Sequence, residues 1–208
     1  MKRLDNYITE KLKINRDVIS KSTTIYNYHP KDKDELRSLI RQLLKERGPD
    51  ADLNDIDVSE ITDMSDLFAG LDPHNIDISK WDVSKVEDMS RMFDVCKNFN
   101  SDLSNWDVSN VTSMRAIFDA CYKFNCDLSG WNISQVIDMN SMFRWCISFN
   151  SDLSDWNVSN VKDMQYMFSN CKKFNCDLSK WNVSALQQKS SMFNKCTSLK
   201  NIPSWYNG

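Results

Sequence analysis

The sequence predicts an α/β fold in which six coils of 25 residues stack as a solenoid behind a small helical N-terminal region. Three observations predict it. Trp81, Trp106, Trp131, Trp156 and Trp181 recur every 25 residues, the apolar spacing inside each unit switches from helical to alternating, and roughly the first 50 residues lie outside the repeat. Columns held at such a period mean stacked units, because one unit cannot bury its apolar side alone and neighbours must share a core.

Residues 1–50 form the first region. Leu4, Ile8 and Leu12 suggest one helix. A second follows Pro30, where Asp32 and Glu35 make a capping box and Leu36, Ile40, Leu43 and Leu44 form an apolar stripe closed by Gly48 and Pro49. This helical part is expected to cover the first coil. Residues 14–30, including Ile25, Tyr26 and Tyr28, carry no readable pattern.

Residues 51–208 form the second region. Ile56 holds the tryptophan phase one unit early, and each unit carries further columns, such as Phe93, Phe118, Phe143, Phe168, Phe193 and Cys96, Cys121, Cys146, Cys171, Cys196. Met89, Met92, Phe93 and Cys96 fall at i, i+3, i+4, i+7, the spacing of one face of a short helix. Phe99, Ser101 and Leu103 alternate with Asn100 and Asp102, the spacing of a short strand. One helix and one strand per unit would stack the strands in a parallel sheet at about 4.8 Å per coil. The irregular stretch Gly70 to His74 and the final unit, where Lys189 replaces the methionine, read as end caps.

The string MF-x-x-C-x-x-F-N-x-D-L-S-x-W-x-V-S-x-V-x-x-M resembles the bacterial surface-protein repeat of about 25 residues allied to BspA-like leucine-rich repeats, over about residues 52–205. The resemblance implies a leucine-rich-repeat-like solenoid used for adhesion or protein binding. Surface members usually carry a signal or lipid anchor, and no such segment is read here, so the resemblance supports binding rather than a surface location.

Composition narrows the function classes. With 41% hydrophobic residues a sizeable core is expected, and no run of about 18 apolar residues marks a membrane span. Seven cysteines are an odd number, which fits free thiols in a reducing, cytoplasmic setting. Residues 1–47 hold 12 basic and 7 acidic side chains, whereas residues 48–208 hold 14 and 22. An acidic body without a dense Lys/Arg stripe speaks against nucleic acid.

The chemistry-bearing constellations read as structural. Cys121, Cys126, Cys171 and Cys176 sit two coils apart, too far for one zinc ion. A reduced, buried cysteine ladder is expected, although neighbouring column members lie within disulfide reach. Asp52, Asp77, Asp102, Asp127, Asp152 and Asp177 stack like charges that calcium would quench, but each carboxylate can instead accept backbone N–H groups in its own turn. The column begun by Asn75 and Asn100 reads as an amide ladder or a polar face. Only His29 and His74 offer an imidazole, and serines at repeated positions are scaffold residues, so the expectation is no enzyme, no metal and no cofactor.

Function is therefore sought where the columns vary. Tyr122, Ile137, Trp145, Ile147 and Tyr166 stand where other units place Lys, Asp, Thr, Glu, Gln or Ser. Such a cluster is a typical protein-interface anchor, with Lys123, Lys172 and Lys173 as a basic rim. The alternative is that Trp145 packs across the helix or against the N-terminal segment. The reading is a monomeric, inhibitor- or immunity-type module for a protein partner, self-associating only through the aromatic patch. Its rivals are a structural or adhesive component, and an enzyme with a site around His29 and His74.

Overall fold

A computed structural model describes residues 26–206. One α-helix occurs among them, α1 (Lys33–Arg47). Its start follows from the capping residues: Asp32 accepts from the Glu35 N–H at 2.9 Å, and Glu35 accepts from the Lys31 N–H at 3.0 Å. Its end follows from Gly48, whose φ of 87° costs no Cβ clash while its N–H closes the helix on the Leu44 carbonyl. Leu36, Ile40 and Leu43 on one stripe are fully buried against the repeat. The Leu4, Ile8, Leu12 helix and Ile25 fall outside the described residues. Tyr28, without a pattern in the sequence, forms a parallel bridge to Ile56.

The expectation of an α/β, leucine-rich-repeat-like solenoid is overturned. Among the described residues the repeat holds no helix and no sheet, only isolated bridges between residues 25 apart, such as Asp88 to Ser113 and Ser113 to Asp138. Each unit is a train of β-turns. In the segment expected to be helical, the Met92, Asp94 and Cys96 N–H groups close turns on the carbonyls of Met89, Arg91 and Phe93. The residues between them, Met89, Arg91, Phe93 and Val95, donate instead to Ser113, Arg115, Ile117 and Asp119 in the next unit. Two helical turns are marginal alone, and a neighbouring backbone at bonding distance captures every second donor. β-Turns closed between residues three apart bury much the same i, i+3, i+4, i+7 set, so Met89, Met92, Phe93 and Cys96 are all 0% exposed without a helix.

The expected strand is replaced in a similar way. Phe99, Ser101 and Leu103 are buried and Asn100 and Asp102 exposed, yet side chains supply the rungs. The Asn125, Asn150 and Asn175 N–H groups donate to the side-chain oxygens of Asn100, Asn125 and Asn150 at 2.8–2.9 Å. The Leu103 N–H donates to Cys126 Sγ at 3.2 Å.

Same-phase residues lie over one another throughout. Phe93, Phe118, Phe143, Phe168 and Phe193 stack with ring centroids 5.6–5.8 Å apart. Trp81, Trp106, Trp131, Trp156 and Trp181 are at most 5% exposed, and each indole N–H donates to a carbonyl of the preceding unit, as Trp131 does to Leu103 at 2.9 Å. The cysteine column does likewise, with Cys146 Sγ 3.0 Å from the Phe118 carbonyl. All seven cysteines are free.

Candidate partner-binding face

Four N–H groups per unit donate to the following unit at 2.7–3.1 Å, and they form a ladder up one side of the stack. Two residues of every unit on this ladder adopt left-handed backbone. One column is Asp66, Arg91, Ala116, Ser141, Tyr166 and Ser191, and the other is Gly70, Val95, Ala120, Trp145, Asn170 and Lys195. The flips turn alternate peptides toward the neighbour. Glycine fills only one of these twelve sites, although a left-handed residue with a Cβ costs about 1–2 kcal/mol. Valine is worse placed still, because its branched Cβ makes φ of 63° a genuine outlier.

Three of those strained sites hold large, exposed apolar side chains. Val95 is 43% exposed, Trp145 39% and Tyr166 41%. Arg91, Val95, Arg144 and Tyr166 line a groove of about 610 Å³ on this face. Its floor carries a charge pair whose acid is buried and whose base is exposed. Asp119 is 5% exposed and accepts from Arg144 Nε at 2.9 Å. Asp94, in the same column, bonds Arg91 at 2.9 Å, and burial followed by the nearby Asp119 charge raises its carboxyl above the ordinary value.

The other expected site residues divide. Ile137, 42% exposed, stands one residue before the ladder, beside Thr112 and Lys162, and lines no part of the groove. Tyr122 is exposed and Ile147 half-buried on the turn after the ladder, where the Ser148 N–H reaches the Tyr122 carbonyl at 3.3 Å. Lys123, Lys172 and Lys173 are exposed on that turn, with no ion-pair partner among the described residues. Trp145 is 39% exposed among the described residues, and most of the N-terminal segment against which the alternative reading packed it, residues 1–25, lies outside them. Val95, Arg91 and Arg144 did not stand out in the sequence because polar or small aliphatic residues do not break a polar pattern; backbone conformation marks Arg91 and Val95, and the bond to buried Asp119 marks Arg144.

Residues 38–145 and 126–207 match the family described as Mycoplasma protein of unknown function, DUF285. The chain belongs to this family. No curated protein and no solved structure matches it.

The remaining chemistry of this DUF285 chain is local. Asp102 accepts from the Ser104 N–H at 2.9 Å, and this bond holds its carboxyl below the ordinary range. Asp77, Asp127, Asp152 and Asp177 make the same turn with Ser79, Ser129, Ser154 and Ser179. Among the described residues no group of three or more His, Cys, Asp or Glu is placed to hold a metal ion. His29 Nδ1 faces Asp57 at 3.4 Å, and no serine or cysteine bonds either imidazole among the described residues.

Proposed function

We propose that the protein is a non-catalytic module that binds another protein on the ladder face, through Val95, Trp145, Tyr166 and the Arg144 edge of the groove, with Tyr122, Ile147 and Ile137 beside it. The observation that supports this most is the placement of bulky apolar side chains at exposed left-handed sites. Folding alone favours glycine or asparagine there, so Trp145, Tyr166 and Val95 answer a demand from outside the fold. Exposed Trp and Tyr next to Arg have the composition of interface hot spots. Lys123, Lys172 and Lys173 supply a basic rim.

A reducing, intracellular setting suits thiols that donate S–H bonds to the phenylalanine carbonyls, as Cys121 does to Phe93 at 3.0 Å. Within that setting an inhibitor- or immunity-type role is the favoured form of binding. The likeness of the repeat string to a bacterial surface-protein repeat motivates a second reading, a structural or adhesive component. Envelope fractionation separates the two.

The direct test is Trp145→Glu and Tyr166→Ala in a pull-down from the native host. Loss of one specific partner with an unchanged far-UV CD spectrum is expected. Retention of that partner by both variants rejects the assignment.

A further inference from the structure

The ladder has a direction. In every unit but the last, four N–H groups donate to carbonyls of the following unit, as Met139, Ser141, Phe143 and Trp145 do to Asp163, Gln165, Met167 and Ser169. The Asp163 carbonyl and the Met164 N–H belong to one peptide, and that N–H donates onward to Gln188. Peptides are thus joined head to tail in four columns along the stack, the arrangement that gives a helix its poles. The Thr112, Ile137, Lys162 column and the asparagine column run the opposite way, but elsewhere on the unit.

The two ends of the ladder are treated differently. Its carbonyl end lies under α1, where Arg37 donates to the Ala69 carbonyl at 3.0 Å and Lys33 bonds Asp63 at 2.7 Å. Its donor end consists of the Lys189, Ser191, Phe193 and Lys195 N–H groups, which meet no acceptor among the described residues.

Side-chain charge follows the same axis. The unit 56–80 carries six acidic side chains and one basic, and the unit 181–205 carries three lysines and no acid. Carboxylates at the donor end would be the stabilising choice, so the sequence has reinforced this pole rather than neutralised it. The last unit also gives up inner-unit features. Lys189 replaces the methionine and turns its ammonium onto the Trp205 carbonyl at 2.8 Å, and Ile202 replaces the column aspartate.

We propose that the ladder edge Lys189–Lys195 is a second docking site, separate from the groove face, that takes an extended acidic segment of another polypeptide. The segment's carbonyls accept the free N–H groups as a further rung, and its carboxylates meet Lys195 and Lys200. A second copy of this chain does not fit. Donor edges cannot pair with each other, and the matching carbonyl edge is covered by α1, whose Leu36, Ile40 and Leu43 are 0% exposed.

The test uses the full chain, labelled for amide NMR, with capped oligo-L-glutamate as probe and oligoacrylate of equal charge, which lacks amide carbonyls, as control. Oligoglutamate is expected to shift the Ser191, Phe193 and Lys195 amides, slow their hydrogen exchange about tenfold and bind about tenfold more tightly than oligoacrylate. The pair Lys195→Glu and Lys200→Glu should remove this binding while the Phe118 and Phe143 amides keep their shifts. Equal binding of oligoacrylate, unprotected edge amides, or protection of those amides by self-association without peptide each overturns the proposal.

Discussion

Arg144 Nε donates to Asp119 Oδ2 at 2.9 Å, one 25-residue step back along the same column. Asp119 is 7% exposed at its side chain and Arg144 44%. Removing the cation strands a buried carboxylate, so Arg144→Ala is expected to lower stability by about 2 kcal/mol, less than for a fully enclosed pair because water reaches the arginine. Urea denaturation measures it. The double change Arg144→Ala with Asp119→Asn should recover part of the loss, and no recovery would show that the charge is not the cause.

The indole bonds are a second structural element. Trp131→Phe keeps the ring stack but orphans the Leu103 carbonyl, which now accepts at 2.9 Å. A loss of about 1–3 kcal/mol is expected. Phe118→Ala, which empties a fully buried site, should cost about 3–5 kcal/mol. Denaturant midpoints rank the two.

Burial pushes the Cys121, Cys146 and Cys171 thiols well above their ordinary value, and pushes Cys96 and Cys196 up to about 12. Unfolded thiols lose their protons near pH 8.5 and folded ones do not, so the native state binds more protons above that pH. Stability should therefore be level below about pH 8 and fall as pH rises, by up to ~1.4 kcal/mol per pH unit for each fully buried thiol. Thermal melts from pH 7 to 10.5 read this directly. Changing Cys121, Cys146 and Cys171 together to Ala should make the alkaline slope shallower, the rest coming from the remaining raised thiols.

Val95→Gly relieves a left-handed β-branched residue at the expense of chain entropy. The two effects are about 1–2 and about 0.5–1 kcal/mol, so stability should stay level or rise slightly. Partner binding should weaken in the same variant. A clear loss of stability would mean that Val95 holds the fold instead.

Much of the packing was legible in residue order. The period placed Trp, Phe and Cys in shared columns because same-phase residues of repeated units have equivalent surroundings, and α1 was legible because Asp32, Glu35 and Gly48 specify its ends locally. The helix and strand within each unit were not, because burial periodicity reports which side chains face inward and not where the N–H groups go. Met89, Met92, Phe93 and Cys96 would face the core in a helix and face it here in a train of turns. The candidate face divided in the same way. Trp145 and Tyr166 broke a polar pattern, whereas Val95 and Arg144 stood out only once their backbone and neighbours were in view.

The amino-acid order by itself determined that 25-residue units share one aromatic and thiol core and that the chain is polarised from an acidic first unit to a basic last one. Only the tertiary structure decided that adjacent units, rather than residues four apart, would take every second N–H. That choice depends on a neighbouring backbone at hydrogen-bonding distance, which no single unit contains. From it follow the left-handed sites that display Val95, Trp145 and Tyr166, and the donor edge at Lys189–Lys195, which meets no acceptor among the described residues.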